Sequence, residues 1–164
     1  MDLHFQGKVW IFGDNIDTDV ITPGKYIHLP LDELKTHAMK PIHPGFAGDV
    51  KPKDVIVAGK NFGCGSSREH AVTVLKSLGL GGVVAVSFAR LYLRNAVAHG
   101  FPVLIVPQVD AHFEEGDEAL VDMEKACITN LRQNRVLQGT PLSADMLAMI
   151  KKGGILSLLK TRKP

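Results

Sequence analysis

The feature that most constrains the fold lies between residues 54 and 106. There, short runs rich in valine and isoleucine alternate with segments of helical period. Residues 54–58 (DVIVA), 82–87 (GVVAVS) and 102–106 (PVLIV) carry almost no polar side chain and read as strands buried on both faces. Between them, residues 68–78 place Ala71, Val74, Leu75 and Leu78 on one helical face, and Gly79 supplies a stop. Residues 88–99 do the same with Leu91, Asn95 and Ala98, closed by Gly100. Strand, helix, strand, helix, strand predicts parallel pairing with helical crossovers. A first strand over 8–12, two short strands at 120–123 and 127–129 turning at Glu124-Lys125, and a last helix over 143–152 with Ser143 as N-cap complete an α/β reading.

The chain has 164 residues, enough for one domain over 1–164 with its own core. Its 45% hydrophobic and 22% charged residues are those of a soluble globular protein, and a net charge of +2 gives no footprint for nucleic acid. The basic run at 160–163 reads as a solvated tail. No apolar run approaches a membrane span, no secretory signal is visible, and Cys64 and Cys127 do not form a disulfide framework. A cytoplasmic location fits these features. His4-Phe5-Gln6-Gly7 looks like a protease-cleavage remnant, so residues 1–7 receive no functional weight. Residues 13–53 hold five of the nine prolines, show weak periodicity apart from a short helix at 32–39, and read as a lid or binding loop.

At residues 60–71, KNFGCGSSREHA, a strand runs out and a helix begins. Such a junction points backbone N–H groups and the positive end of a helix at whatever occupies the loop. Gly63 and Gly65 permit close approach, and Arg68 adds a fork of donors suited to a carboxylate. The lysine of a phosphate-binding P-loop, the third glycine of a dinucleotide fingerprint and the Gly-x-Ser-x-Gly of a nucleophile elbow are all missing. Two readings stay open: an anion-binding turn, and a plain capping box in which Ser66 caps the helix and Glu69 reaches back.

NFGCGSSREHA resembles the signature of the swivel domain of aconitase-type hydro-lyases, and DNIDTDVITPGKY, at 14–26, resembles the opening motif of their separate small subunits. The order of the remaining elements, through GVVAVSFARLYLRNAVAHGFPVL, is similar too, so the resemblance spans nearly the whole chain. Its length is that of 3-isopropylmalate dehydratase small subunits. It is also similar to small subunits of homoaconitase and of 2,3-dimethylmalate dehydratase. The resemblance implies a swivelling β/β/α fold with a mixed, mostly parallel or barrel-like sheet and flanking helices. It implies a hydro-lyase of leucine biosynthesis that is active only with a large subunit, in a heterodimer or heterotetramer. That partner would carry a [4Fe–4S] cluster, and this chain would hold no metal. It assigns Ser66 as the base, Ser67, Arg68 and Gly65 to substrate binding, Ile27 and His28 to the substrate's variable end within a mobile specificity loop at 25–44, and Asp17, Thr18 and Asp19 to ordering the active-site loop. A stand-alone anion-binding module is the reading from a different class.

Asp14, Asp17 and Asp19 do not make a calcium loop, because Ile16 and Ile21 occupy ligand places. They read instead as a turn held by side-chain-to-backbone hydrogen bonds. His70 reads as a helix residue near the site. The run Tyr26-Ile27-His28-Leu29 offers apolar Ile27 and Leu29 to a small alkyl group, with polar His28 between them.

Overall fold

One strand organises the molecule. In a computed structural model describing residues 2–66 and 68–161, strand β1 (His4–Phe12) is shared by two sheets of opposite sense. Its first half, from His4 to Lys8, pairs antiparallel with β5 (Glu118–Asp122). Its second half, from Val9 to Phe12, pairs parallel with β2 (Val55–Ala58). Beyond β2 lie β3 (Gly82–Ala85) and β4 (Val103–Ile105), both parallel; beyond β5 lie β6 (Cys127–Asn130) and β7 (Arg135–Gln138), both antiparallel. The result is one seven-stranded mixed sheet in the order β4-β3-β2-β1-β5-β6-β7. It curls until its edges meet: the Thr140 N–H, just past β7, donates to the carbonyl of Ile105 in β4 at 2.9 Å. This is the barrel-like form of the expected α/β core.

The parallel half follows the valine-rich runs, because β2 and β3 are buried on both faces and need helices over them. Helix α4 (His70–Ser77) buries Ala71, Val72, Val74 and Leu75, and α5 (Arg90–Ala98) buries Tyr92, Ala96 and Val97. The buried face of α5 is therefore rotated from the one expected: Leu91 is exposed, and the bulk of Tyr92 points inward. Helix α6 (Ala144–Lys151) begins as expected, with the Ser143 hydroxyl accepting the Met146 N–H at 3.2 Å.

Four expectations need correction. Residues 4–7 are part of β1, and Phe5 is buried in the core, so this segment belongs to the fold. Residues 13–53 carry their own structure: α1 (Thr18–Ile21), α2 (Leu31–Leu34), α3 (Phe46–Asp49) and 3-10 turns at Gly24–Tyr26 and Lys35–His37. Ile21, Leu34, Met39 and Phe46 are buried in the same core as the sheet. Such turns are too short for any periodicity to register. Past Gly153-Gly154 a further helix, α7 (Ile155–Thr161), follows, and β7 was not anticipated because it is a short, mostly exposed edge strand. Finally, α4 starts at His70 with Glu69 as N-cap and no side-chain cap, so the Ser66–Glu69 capping box does not form.

The antiparallel half is pinned by a buried carboxylate. Asp117 accepts from Arg132 Nε at 2.6 Å, Arg132 Nη2 at 3.2 Å, Asn130 Nδ2 at 3.0 Å and the Glu114 N–H at 2.9 Å. The Arg132 hydrogen bond, ahead of the backbone and Asn130 donors, holds the Asp117 carboxyl at about 2, below its ordinary 3.8. A folded-state value below the unfolded one means that this stabilisation is complete above pH about 4 and is lost as pH falls through about 2. Asp117→Ala is expected to cost about 2–3 kcal/mol at pH 7 and little at the acid end, checked by denaturant titration at both pH values.

Candidate active site

The site forms where the chain leaves β1 and β2. Both strands end, yet their pairing continues through the two loops. The Gly59 N–H donates to Gly13 O at 3.2 Å, Asn15 to Lys60 O at 2.8 Å, Gly63 to Ile16 O at 2.8 Å, and Thr18 to Cys64 O at 2.9 Å. Side chains add to this ladder. The Asp14 carboxylate accepts the Lys60 N–H at 2.7 Å, and the Thr18 hydroxyl donates to Ser66 O at 2.7 Å. The DNIDTD and NFGCGSS segments thus lie side by side, and the first fixes the path of the second.

The glycines of the second loop answer to particular neighbours. Gly63 has φ +82°, and a Cβ there would sit 2.2 Å from the ring of Tyr92. Tyr92 is itself fixed, packing against Phe62 and donating its hydroxyl to Ala71 O at 3.1 Å. Gly65 has φ +89°, and a Cβ there would lie 2.5 Å from Asp17 Oδ2. The loop must pass between a core aromatic and a carboxylate, and only a residue without a side chain fits. Tyr92 is the contributor that the sequence did not reveal; its position in the middle of α5 carries no motif.

Arg68 is held on one side only. Its Nη1 donates to Asp19 Oδ1 at 3.1 Å and to Thr22 O at 3.3 Å. The same Asp19 oxygen accepts the Gly24 N–H at 2.9 Å, and Asp17 Oδ1 accepts the Asp19 N–H at 2.7 Å. Asp17 is the side-chain cap of α1. Among the described residues, Nε and Nη2 of Arg68 have no acceptor, and the side chain is 27% exposed. Ser66 is exposed too, and its hydroxyl has no partner among the described residues. One turn therefore offers a hydroxyl and a free guanidinium edge to the outside, both set from behind.

Of the residues singled out from the sequence, Asp17, Thr18, Asp19, Gly65, Ser66 and Arg68 come together here. Ser67 lies outside the described residues. Ile27 is half-buried and His28 exposed, just past the turn Gly24–Tyr26 that reaches Arg68 through Gly24. His70 is exposed in the first turn of α4. Burial, then the nearby Asp17, pushes the Cys64 thiol up, which makes it a poor nucleophile. His4, Asp122 and Glu124 form a partly exposed grouping of possible ligands, but at the far end of β1, roughly 25 Å of strand away.

Gly65→Ala is expected to destabilise the protein by about 2 kcal/mol, through both the positive φ and the Asp17 clash. Gly13→Ala, where a Cβ meets nothing within 4 Å, is expected to be nearly neutral. Urea midpoints of the two variants against the parent chain check this.

Known proteins are similar to this chain over nearly its whole length. The Aconitase C-terminal domain family matches residues 41–108. A 3-isopropylmalate dehydratase small subunit 1 of Methanopyrus kandleri is 44% identical over 97% of this chain and 94% of its own length. A methanogen homoaconitase small subunit of Methanothermobacter thermautotrophicus is 46% identical over 95% of this chain and 91% of its own. The crystal structure of a 3-isopropylmalate dehydratase from Methanocaldococcus jannaschii superposes with a TM-score of 0.91 at 38% identity, covering 97% of this chain and 95% of that one. With such identity over nearly its full length, the chain belongs to the family of small subunits of aconitase-type hydro-lyases, proteins that work together with a large subunit.

Proposed function

We propose that this chain is the small subunit of a cytoplasmic iron–sulfur hydro-lyase that removes water from a hydroxy di- or tricarboxylic acid and adds it back, with 3-isopropylmalate as substrate. The observation that carries this reading is the pairing, in one exposed turn, of the unpartnered Ser66 hydroxyl with an Arg68 whose Nη1 is tied down and whose remaining edge is free. Relatives named for 3-isopropylmalate dehydratase support the substrate.

The chemistry follows from those two groups. Dehydration of such an acid requires a proton to leave a carbon next to a carboxylate. The free edge of Arg68 takes that carboxylate in a two-point grip, which fixes the carbon and its proton relative to Ser66. Ser66 Oγ, as the alkoxide, takes the proton and becomes the hydroxyl. A serine alkoxide is costly to form in water, but the donors of the nearby Arg68 guanidinium favour the charged form of the hydroxyl. Ser67 adds a hydrogen bond to the bound acid, and Gly65 lets it approach the backbone. Asp17, Thr18 and Asp19 do not touch the substrate; they hold the loop and the guanidinium in place. Ile27 and His28 border the substrate's variable end.

This chain's own donors do not fit an iron–sulfur cluster. Cys64 lies in the loop after β2, Cys127 opens β6, and burial pushes both thiols up, away from the thiolate a cluster needs. The [4Fe–4S] cluster is therefore assigned to the large subunit, where it would supply Lewis acidity to the leaving hydroxyl. Two unpaired thiols also suit a reducing compartment.

The assembled pair is expected to interconvert 3-isopropylmalate and its dehydrated acid, and the isolated chain to be inactive. Ser66→Ala should lower kcat by about three orders of magnitude with an unchanged melting temperature, because the hydroxyl supports no other group. Arg68→Lys should raise KM about tenfold or more, since a point charge replaces a fork. Steady-state kinetics and thermal melts check both. Near-normal turnover in Ser66→Ala, or an isolated chain that turns over substrate alone, would overturn the reading.

A further inference from the structure

A cationic helix end stands beside the site. β2 and β3 are parallel neighbours, so the loop after β2, which carries Ser66 and Arg68, and the turn after β3, which opens α5, leave the sheet at the same edge. The two segments are bonded together. The Asn61 N–H donates to Ser87 Oγ at 2.8 Å, the Phe62 N–H to Ser87 O at 3.1 Å, and the Ala89 N–H to Phe62 O at 2.9 Å. The Phe62 ring packs edge-on against Phe88. α5 starts directly beyond this strap, at Arg90.

The first residues of α5 break several local rules at once. The N-cap is Ala89, which offers no side-chain acceptor, and the first turn holds no acid. Arg90 places a cation at the positive end of the helix. Arg94 follows at i,i+4, where like charges repel. Both arginines are exposed, and among the described residues neither has an ion pair or hydrogen bond, whereas Arg68 and Arg132 are held by Asp19 and Asp117. Between them Leu91 is 54% exposed, next to the half-buried Phe88 and Ala89. Local conflicts of this kind are kept where function needs them. An apolar anchor flanked by unpaired guanidiniums has the composition of a protein interface, and its complement is an apolar hollow rimmed by carboxylates. The family to which the chain belongs works with a large subunit. A partner that closes over Ser66 and Arg68 meets α5 at the same edge of the sheet.

We propose that the start of α5 is a docking surface for the large subunit, with Leu91 seated in an apolar hollow and Arg90 and Arg94 paired with carboxylates around it. This deepens the function proposed above and rests on its two-subunit form, not on its substrate or its chemistry. Association of the full chain with the large subunit is measured by titration calorimetry at low and at high salt. Arg90→Glu/Arg94→Glu is compared with the parent and with Lys51→Glu/Lys53→Glu. The lysine pair makes the same change in net charge at the opposite end of β2, where both side chains are exposed. The arginine variant should bind about tenfold or more weakly and lose most of the salt dependence. Its melting temperature should equal or exceed the parent's, because acids replace cations at a helix N-terminus. Leu91→Ala should weaken binding about fivefold or more, and the lysine variant should stay within about twofold of the parent.

Parent-like binding by the arginine variant, or an equal loss in the lysine variant, overturns the surface. So does a raised KM of the arginine variant at saturating large subunit, which would mean that the arginines grip substrate. A change in the oligomeric state of the isolated chain on Arg90→Glu/Arg94→Glu also overturns it, because a second copy would then be the occupant. A pair that shows the expected losses yet turns over no hydroxy acid supports the surface and overturns the hydro-lyase reading alone. A chain that binds no large subunit overturns both.

Discussion

The structure depends on a parallel ladder that outlives its strands. β1 and β2 stop at Phe12 and Ala58, but amide-to-carbonyl bonds continue between the chains that follow, from Gly59–Gly13 out to Thr18–Cys64. A loop alone would carry the entropy of every unfixed residue. Two loops that hydrogen-bond to each other inherit the register of the sheet behind them, and whatever sits at their tip is placed as firmly as a strand residue. The Thr18 hydroxyl on Ser66 O and Asp19 on Arg68 are the last rungs of that ladder. The rigidity comes from the sheet; the candidate site sits where the sheet ends, which is where parallel α/β folds present their sites.

The same ladder explains why the glycine-rich motif and the aspartate-rich motif occur together. Gly65 is needed because Asp17 stands where its side chain would be, and Asp17 stands there because it caps α1 and carries the turn to Asp19. Gly63 is needed because Tyr92 reaches across from α5. Each glycine is a statement about a neighbour far away in sequence. A substitution in one motif is therefore felt by the other, and the pair behaves as one unit.

The parallel half of the fold was legible because its strands are buried on both faces and its helices have whole turns to show a period. Val55–Ala58 and Gly82–Ala85 could hardly be anything else. The segment between β1 and β2 was not legible: α1, α2 and α3 have four residues each, and single buried anchors such as Leu34 and Phe46 give no pattern. At the site, the motif residues were readable from their types, whereas Tyr92 and Thr22 act through a ring face and a backbone carbonyl, which no motif encodes. The capping box shows the opposite error. Ser66 and Glu69 have the right spacing, but the carbonyl of Ser66 is claimed by Thr18, and α4 starts later. A tertiary contact overrode a local preference.

The arrangement also explains why such a chain is built as part of a larger enzyme. Behind the loop the charged and capping groups are partnered: Asp19 serves both Gly24 and Arg68, Asp17 serves Asp19, and Thr18 serves Ser66. In front, the Ser66 hydroxyl and one edge of Arg68 face outward without a protein acceptor among the described residues. In the roles proposed above, a base left in water would be solvated and slow, and a guanidinium left in water would discriminate poorly between acids. Both gain strength only when a second surface closes over them and removes that water, because electrostatic interactions sharpen as the local dielectric falls. On the proposed roles, satisfying the rear of the site within one chain and leaving its front open would tie activity to assembly.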